Sequence, residues 1–329
     1  MKRIAINGMG RIGRTSLKVI TDHPDLELVA VNDIAPIENI AYLIQYDSVH
    51  GQFEKNVSIE GKYLLIGEDK IPFFQEKSPA DLPWKSLDVD VVIESTGVFT
   101  TTEKAELHIK AGAKTVVLSG PSKSPDLPTV VHGVNTEDGK TNIFSCASCT
   151  TNNISPIMEI IGRRIGIKKA IMTTIHADTA TNRTVDMTHT KNVRMGRSGL
   201  NKLITTTTGA AKATTLAMPW FQGKFDGLAV RVPIPVGSLS DITILTERVT
   251  SVEEINEILT EEAASDRYLK VFAVTNDPIV SSDIIKNPFA SIADLQMTKV
   301  VDGDLVKILA WYDNEWGFTN QMIRQIIEI

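Results

Sequence analysis

Lys2-Arg3-Ile4-Ala5-Ile6-Asn7-Gly8-Met9-Gly10-Arg11-Ile12-Gly13 opens the chain and decides how its first half is read. Lys2 to Asn7 has the character of a short buried strand and passes straight into Gly8-x-Gly10-x-x-Gly13, followed by a predicted helix to about Asp22. Leu26 to Asn32 predicts a second strand. Strand, glycine turn, helix and strand within about 30 residues make a βαβ unit with a right-handed crossover. Glycine clusters alone commonly serve as turns, so the context carries the inference. Asp33 ends the second strand, 20 residues beyond Gly13. There, Gly8, Gly10 and Gly13 permit a tight turn and close approach of a pyrophosphate to the helix N-terminus. The Asp33 carboxylate would accept hydrogen bonds from an adenosine ribose diol and repel a 2′-phosphate, which predicts NAD over NADP.

The alternation continues outward. Val89 to Glu94 and Thr115 to Leu118 predict strands around a helix from Thr102 to Ala111. Residues 56–74 predict a small antiparallel meander with turns at Glu60-Gly61 and Glu68-Asp69. Beyond Cys149 the pattern changes to longer strands, Leu228 to Pro233 and Asp241 to Val249. A capped helix is predicted from Ser251 to about Ala264 and an amphipathic one from Trp316 to Ile327. Segment 186–208 is polar, bears Gly and Arg, and lacks clear periodicity; loops that long are usually functional or disordered. The expected fold is α/β. A Rossmann-type nucleotide-binding domain takes residues 1–148 and is completed by a C-terminal helix at 314–329. An α+β catalytic domain with a mostly antiparallel sheet takes 149–313.

With 329 residues and 42% apolar content, two cores are affordable. A net charge of −6 argues against nucleic acid as the main partner, since phosphate-backbone binding needs concentrated Lys and Arg. Two cysteines and no long apolar run exclude a disulfide scaffold and a membrane partner, and no metal site is expected. The start of the chain lacks the apolar region of a signal peptide, so a cytoplasmic location is expected.

Ser148-Cys149-Thr150-Thr151-Asn152 carries the chemistry, together with His176, 27 positions later. Ser148 is a good N-cap before the apolar-periodic Ile154, Ile157, Met158, Ile160 and Ile161, which puts Cys149 on a first helical turn. Helix dipole and imidazole both favour the thiolate, the attacking species. His176 ends the apolar strand Ala170 to Ile175, where a polar side chain emerges at a sheet edge. An inert buried cysteine beside a structural histidine is the alternative; the neighbouring hydroxyl residues favour a nucleophile.

Ile6 to Arg14, Val31-Asn32-Asp33, Glu94-Ser95-Thr96-Gly97-Val98-Phe99, Ala147 to Asn152, Thr206 to Ala213, Arg231-Val232-Pro233 and Trp311 to Gly317 recur in order across the chain. Together they resemble the phosphorylating glyceraldehyde-3-phosphate dehydrogenases. The resemblance implies that Cys149 attacks the aldehyde of glyceraldehyde 3-phosphate, with His176 as proton acceptor and NAD as oxidant. Inorganic phosphate then cleaves a thioester to release 1,3-bisphosphoglycerate. It assigns Thr179 and Arg231 to the substrate phosphate, and Ser148, Thr150, Thr208 and Gly209 to the attacking phosphate. It places Arg11, Ile12, Asp33, Lys77, Thr96, Ser119 and Asn314 on the cofactor beside Gly8, Gly10 and Gly13, and it implies a homotetramer.

The chain departs from the family's pattern in several places. Cys146, where Asn is common, makes a C-x-x-C with Cys149, and Asn153 stands where a second cysteine is common. Asp178 replaces a tyrosine and adds a carboxylate near the phosphate sites. The long loop reads Asp186-Met187-Thr188 in place of Asp-Leu-Pro, then Val193-Arg194-Met195-Gly196-Arg197. The family's anion-binding arginine there corresponds to Arg194 or Arg197, or is replaced by Met195. Three other readings remain: an erythrose-4-phosphate dehydrogenase, a thiol–disulfide redox or sensor protein built on Cys146 and Cys149, and a non-catalytic NAD-binding module. For the enzyme itself, the pair predicts reversible inactivation by mild peroxide through a Cys146–Cys149 disulfide, unless Cys146 points away into the nucleotide domain as a mere replacement of the Asn.

Overall fold

A computed structural model of the chain describes residues 1–135, 141–190 and 192–329. Two compact units emerge. The first comprises Met1–Val130, residues 141–147 and Met322–Ile329; the second comprises Val131–Asn135 and Ser148–Gln321.

In the first unit the opening residues form β1 (Lys2–Asn7), α1 (Arg11–Thr21) and β2 (Leu26–Asn32). Then come α2 (Ile37–Gln45), the short β3 (Tyr46–Asp47) and β4 (Gly51–Gln52), and β5 (Val57–Glu60), β6 (Tyr63–Ile66) and β7 (Asp69–Phe74). β8 (Val91–Glu94), α3 (Thr102–Lys110), β9 (Thr115–Leu118) and β10 (Ile143–Ser145) complete it. The sheet runs β10-β9-β8-β1-β2-β7-β6-β5. Pairs from β10 to β7 are parallel, and the β5–β6–β7 pairs are antiparallel. β8 is buried at every position, as a parallel strand covered on both faces must be.

The expected meander is present but not separate. β7 also pairs in parallel with β2, at Val31↔Phe73 and Asn32↔Phe74, so the meander extends the main sheet. Its second turn uses Gly67, at φ +59°, where glycine alone is unstrained. Under the sheet, Trp84 packs at 0% exposure with Val29, Val89, Val92 and Ala113.

The second unit begins with α4 (Cys149–Arg164) and β11 (Ile167–Ala177). β12 (Ile204–Thr207), α5 (Ala210–Ala217), β13 (Phe225–Val232), β14 (Ser238–Thr246) and α6 (Val252–Ala263) follow. The chain ends with β15 (Phe272–Thr275), β16 (Ser291–Asp294), β17 (Lys299–Val301), β18 (Leu305–Tyr312) and α7 (Trp316–Glu328). The sheet order is β12-β13-β11-β14-β18-β16-β15, with β17 also on β18. Only β11–β13 and β15–β16 are parallel. α4 buries Ile154, Ile157, Met158, Ile160 and Ile161 against Met172, Ile242, Ile244 and Ile308. That contact fixes the helix whose first residue is Cys149.

The segment expected to lack structure over 186–208 is partly ordered. Val193–Gly196 forms a 3-10 turn, and β12 is an edge strand on β13, hidden in the sequence because Thr205, Thr206 and Thr207 show no apolar alternation. β13 begins three residues earlier than predicted, at Phe225, because Asp226 and Gly227 mask its start. No helix among the described residues is long and apolar enough to cross a membrane.

Candidate active site

The glycine turn between β1 and α1 is built for close approach. A side chain on Gly8, at φ +96°, would lie 2.7 Å from the Thr96 nitrogen, and one on Gly13 would lie 1.9 Å from the Gly8 carbonyl oxygen. At Gly10 nothing lies within 4 Å. Gly10 caps α1 with no side-chain hydrogen bond, so the helix start faces open space with its positive dipole end exposed. This cradle fits a pyrophosphate. Gly13→Ala should cost roughly 3 kcal/mol, the upper range of overpacking, because backbone must move. Gly10→Ala should leave thermal unfolding nearly unchanged and still obstruct NAD binding; melting curves and NAD titrations on the two variants separate packing from approach.

Asp33 sits beside that turn, accepting from the Met9 N–H at 2.6 Å through Oδ2 and from the Ala35 N–H at 2.8 Å through Oδ1. Arg11 pairs with Asp47 at 2.8 Å. Asp47 also accepts from the backbone N–H groups of Val49 and His50. Despite opposing burial, its hydrogen bonds hold the carboxyl far below the usual range. Asp47 thereby orients the Arg11 guanidinium, a role the sequence did not reveal. Behind the turn, Glu94 is buried, accepting from Asn7 Nδ2 at 2.6 Å, from the Thr96 N–H at 2.8 Å and from the Thr96 hydroxyl. His108 Nε2 lies 3.1 Å from Glu94, and Trp84 donates to His108 Nδ1 at 3.0 Å. Because Trp84 occupies Nδ1, the neutral ring carries its proton on Nε2 and donates it to Glu94. Ile12 lies in the first turn of α1, Ser119 follows β9 with its N–H on the Glu94 carbonyl at 3.0 Å, and Lys77 is exposed after β7.

In the second unit Ser148 caps α4, its hydroxyl accepting from the Thr151 N–H at 3.1 Å. Cys149 Sγ lies 3.4 Å from His176 Nε2. His176 Nδ1 lies 2.7 Å from the Ala177 carbonyl and 2.5 Å from Arg231 Nη1. The electrostatics differ from expectation. Burial pushes the Cys149 thiol up, offset only in part by the Arg231 charge and hydrogen bonds around Thr150. Burial, then Arg231, lower His176 to about 4. Both shifts oppose charging the pair, whereas Arg231 and the hydrogen bonds around Thr150 favour the thiolate. The sequence shows a helix start and a nearby imidazole, but not that His176 is buried with Arg231 against it.

Thr150 turns inward, its hydroxyl 3.0 Å from the Tyr312 hydroxyl, which also lies 2.7 Å from Thr174. The Tyr312 ring stands edge-on to His176 at 6.0 Å. Thr179 bonds Thr181 at 2.9 Å, and Thr208 accepts from the Ala210 N–H at 3.1 Å, beside Gly209 at the open start of α5. Arg194 donates to Thr205 at 3.3 Å, whereas Arg197 pairs with Asp186 at 2.8 Å and Met195 is buried. Asp178 is half-buried, its carboxyl raised by burial and opposed by Arg231. Asn314 Oδ1 accepts from the Gly237 N–H at 3.2 Å and the Ser238 hydroxyl at 3.0 Å. Cys146 is buried in the first unit; burial pushes its thiol up, and it forms no disulfide. Among the described residues no cluster of three or more His, Cys, Asp or Glu could hold a metal.

Residues 2–102 match the glyceraldehyde 3-phosphate dehydrogenase NAD binding domain, and residues 148–314 match the C-terminal domain of the same family. The chain belongs to the glyceraldehyde-3-phosphate dehydrogenase family. It is 46% identical over 327 residues to "Glyceraldehyde-3-phosphate dehydrogenase" of Thermotoga maritima, covering 98% of this chain and 97% of that protein. It is 43% identical over 325 residues to the protein of that name from Zymomonas mobilis, covering 98% and 96%. With the Xanthobacter flavus protein of that name the identity is 45% over 325 residues, covering 97% and 96%. As a member of this family the chain is an NAD-dependent oxidoreductase with a Rossmann-type NAD-binding domain and a C-terminal catalytic domain.

Proposed function

We propose that this enzyme oxidises glyceraldehyde 3-phosphate with NAD and captures the acyl group with inorganic phosphate, through intermediates held on Cys149. The observation that carries the reading is Cys149 Sγ, on the first turn of α4, 3.4 Å from His176 Nε2. The sulfur adds to the aldehyde carbon to give a thiohemiacetal, and His176 takes the proton from its hydroxyl as the carbon is oxidised to a thioester. The Cys149 N–H, at a helix start, supplies an oxyanion donor. NAD, when bound, supplies the hydride acceptor. Gly8, Gly10, Gly13, Arg11, Ile12, Asp33, Lys77, Thr96, Ser119 and Asn314 would hold it; the open cradle at Gly10 and the carboxylate beside the turn support this.

Thr179 and Arg231 are the proposed seats of the substrate phosphate. Ser148, Thr150, Thr208 and Gly209 are those of the inorganic phosphate, with Arg194 or Arg197 as the loop cation. Arg194 is the stronger candidate, since Arg197 already pairs with Asp186. A cytoplasmic homotetramer is the proposed setting; exposed Ile171, Leu228 and Leu305 on the second sheet support assembly.

The decisive experiment follows NADH absorbance with glyceraldehyde 3-phosphate or erythrose 4-phosphate, with and without inorganic phosphate. Phosphate-dependent turnover of the triose is the expected result. Phosphate-independent turnover of the tetrose would instead favour hydrolysis of the thioester. NAD should be preferred over NADP in kcat/KM, because the Asp33 carboxylate repels a 2′-phosphate at short range. Equal efficiency with the two cofactors would remove Asp33 from the ribose.

A further inference from the structure

Ser238 opens β14 and stands opposite Tyr312, the last residue of β18. That register sets Gly237 and Ser238 beside Asn314, just past the strand end. Asn314 is only 5% exposed, and its side-chain oxygen is doubly engaged. Oδ1 accepts from the Gly237 N–H at 3.2 Å and from the Ser238 hydroxyl at 3.0 Å. A backbone N–H can only donate, so the oxygen of the amide, and not its nitrogen, must face it. Ser238 then has to give its proton to the same oxygen. The Ala177 N–H, donating to Ser238 Oγ at 3.1 Å, aligns the hydroxyl for that task.

The backbone on both sides is held as firmly. Asp313 Oδ1 accepts from the N–H groups of Glu315 and Trp316, each at 2.8 Å, and its Oδ2 from the Lys286 N–H at 2.9 Å. Gly237 adopts φ +88°, and a side chain there would lie 2.6 Å from the Ser281 carbonyl oxygen. Glycine alone presents its N–H in this direction without strain. The other end of the Asn314 amide has no such arrangement. Among the described residues its two hydrogen bonds are both on Oδ1, and nothing accepts from Nδ2. A donor left idle in a side chain this buried is costly and marks a place for a ligand that brings an acceptor.

We propose that Ser238 is a positioning residue for the cofactor: by fixing the Asn314 amide it makes that seat a donor, which reads the NAD carboxamide through its carbonyl oxygen. Ser238 acts through Asn314 and not by contact with the nicotinamide ring. A free asparagine amide offers either end to a ligand; two donors on its oxygen impose one. The inference rests on the proposed assignment of Asn314 to NAD and adds a selection rule to it. A ring substituent must carry an acceptor to be held, and it need not carry an amino group.

Equilibrium titrations of the whole enzyme test the rule without turnover. The probes are NAD, acetylpyridine adenine dinucleotide, which keeps the carbonyl and loses the amino group, pyridine adenine dinucleotide, which has neither, and ADP-ribose, which lacks the ring. Wild type should bind NAD and the acetyl analogue within about threefold of each other. It should bind the bare pyridine analogue about tenfold more weakly, the worth of one good hydrogen bond. In Ser238→Ala the two carbonyl-bearing probes should weaken by about three- to tenfold while the other two bind as before. Ser238→Thr, which keeps the hydroxyl, should restore the preference, and Ser238→Ala should add no loss in an Asn314→Ala background.

Equal weakening of every probe in Ser238→Ala would mean that the hydroxyl serves the fold alone, and it overturns the proposal. So does a wild type that holds the acetyl analogue no better than the bare pyridine one. Should Ser238→Ala fail to fold, Ser238→Cys, with its weaker donor, takes its place with the same expected order. If neither NAD nor ADP-ribose binds, the proposed function fails as well; NAD binding without preference for the carbonyl removes only the role of Ser238.

Discussion

Cys149→Ser should abolish aldehyde oxidation, with a loss of roughly 10⁴-fold or more, the scale seen when a covalent nucleophile is removed. The hydroxyl is a far weaker acid than a thiol and a poorer nucleophile towards the aldehyde carbon. An acyl ester would also store less energy for transfer to phosphate than a thioester. NAD binding should survive, because the glycine turn, Asp33 and Arg11 all belong to the first unit. Stopped-flow NADH formation and equilibrium NAD titration measure the two separately. Residual activity within about tenfold of wild type would remove Cys149 from the nucleophile's role.

His176→Asn should slow the first turnover by roughly 10²–10⁴-fold, the usual worth of a positioned proton acceptor. The loss should appear in kcat with little change in KM, since the ring is assigned no role in holding the substrate phosphate. A pH signature accompanies it. The native imidazole takes a proton only near pH 4, whereas the unfolded one does so near 6.5. Between those values the unfolded chain binds more protons, so stability falls as pH drops through that window. The variant lacks this component and should lose less stability between pH 6.5 and 4. Identical denaturation midpoints for the two proteins across that range would show that the native ring is not held neutral.

Parallel strands were legible nearly to the residue. β1, β2 and β9 have the predicted bounds because each is an apolar run closed by a polar turn. β10 escaped because three residues carry no pattern, and β12 because its threonines show no alternation. The second pairing of β7 escaped because parallel partners are chosen by the fold and not by neighbours in sequence. Cys149 and His176 stood out as residue types at plausible element ends. Arg231 needed the register of β13 on β11 before its contact with His176 could be seen. The electrostatics needed still more: burial works against the charged sulfur that a helix start and an imidazole favour. Asp47 and Tyr312 gave no local signal, since each acts by touching a residue far away in the chain.

Ala147, immediately before the cap of α4, is fully buried and adopts φ +60°. Left-handed backbone costs a non-glycine residue about 1–2 kcal/mol, and Ala147→Gly would remove that cost at the expense of one buried methyl group. Selection for heat resistance alone would have reason to sample this substitution. Selection for turnover would oppose it, because a glycine there frees the backbone that aims the sulfur. Laboratory evolution under the two regimes should therefore part company at this position before it does so anywhere in the two cores.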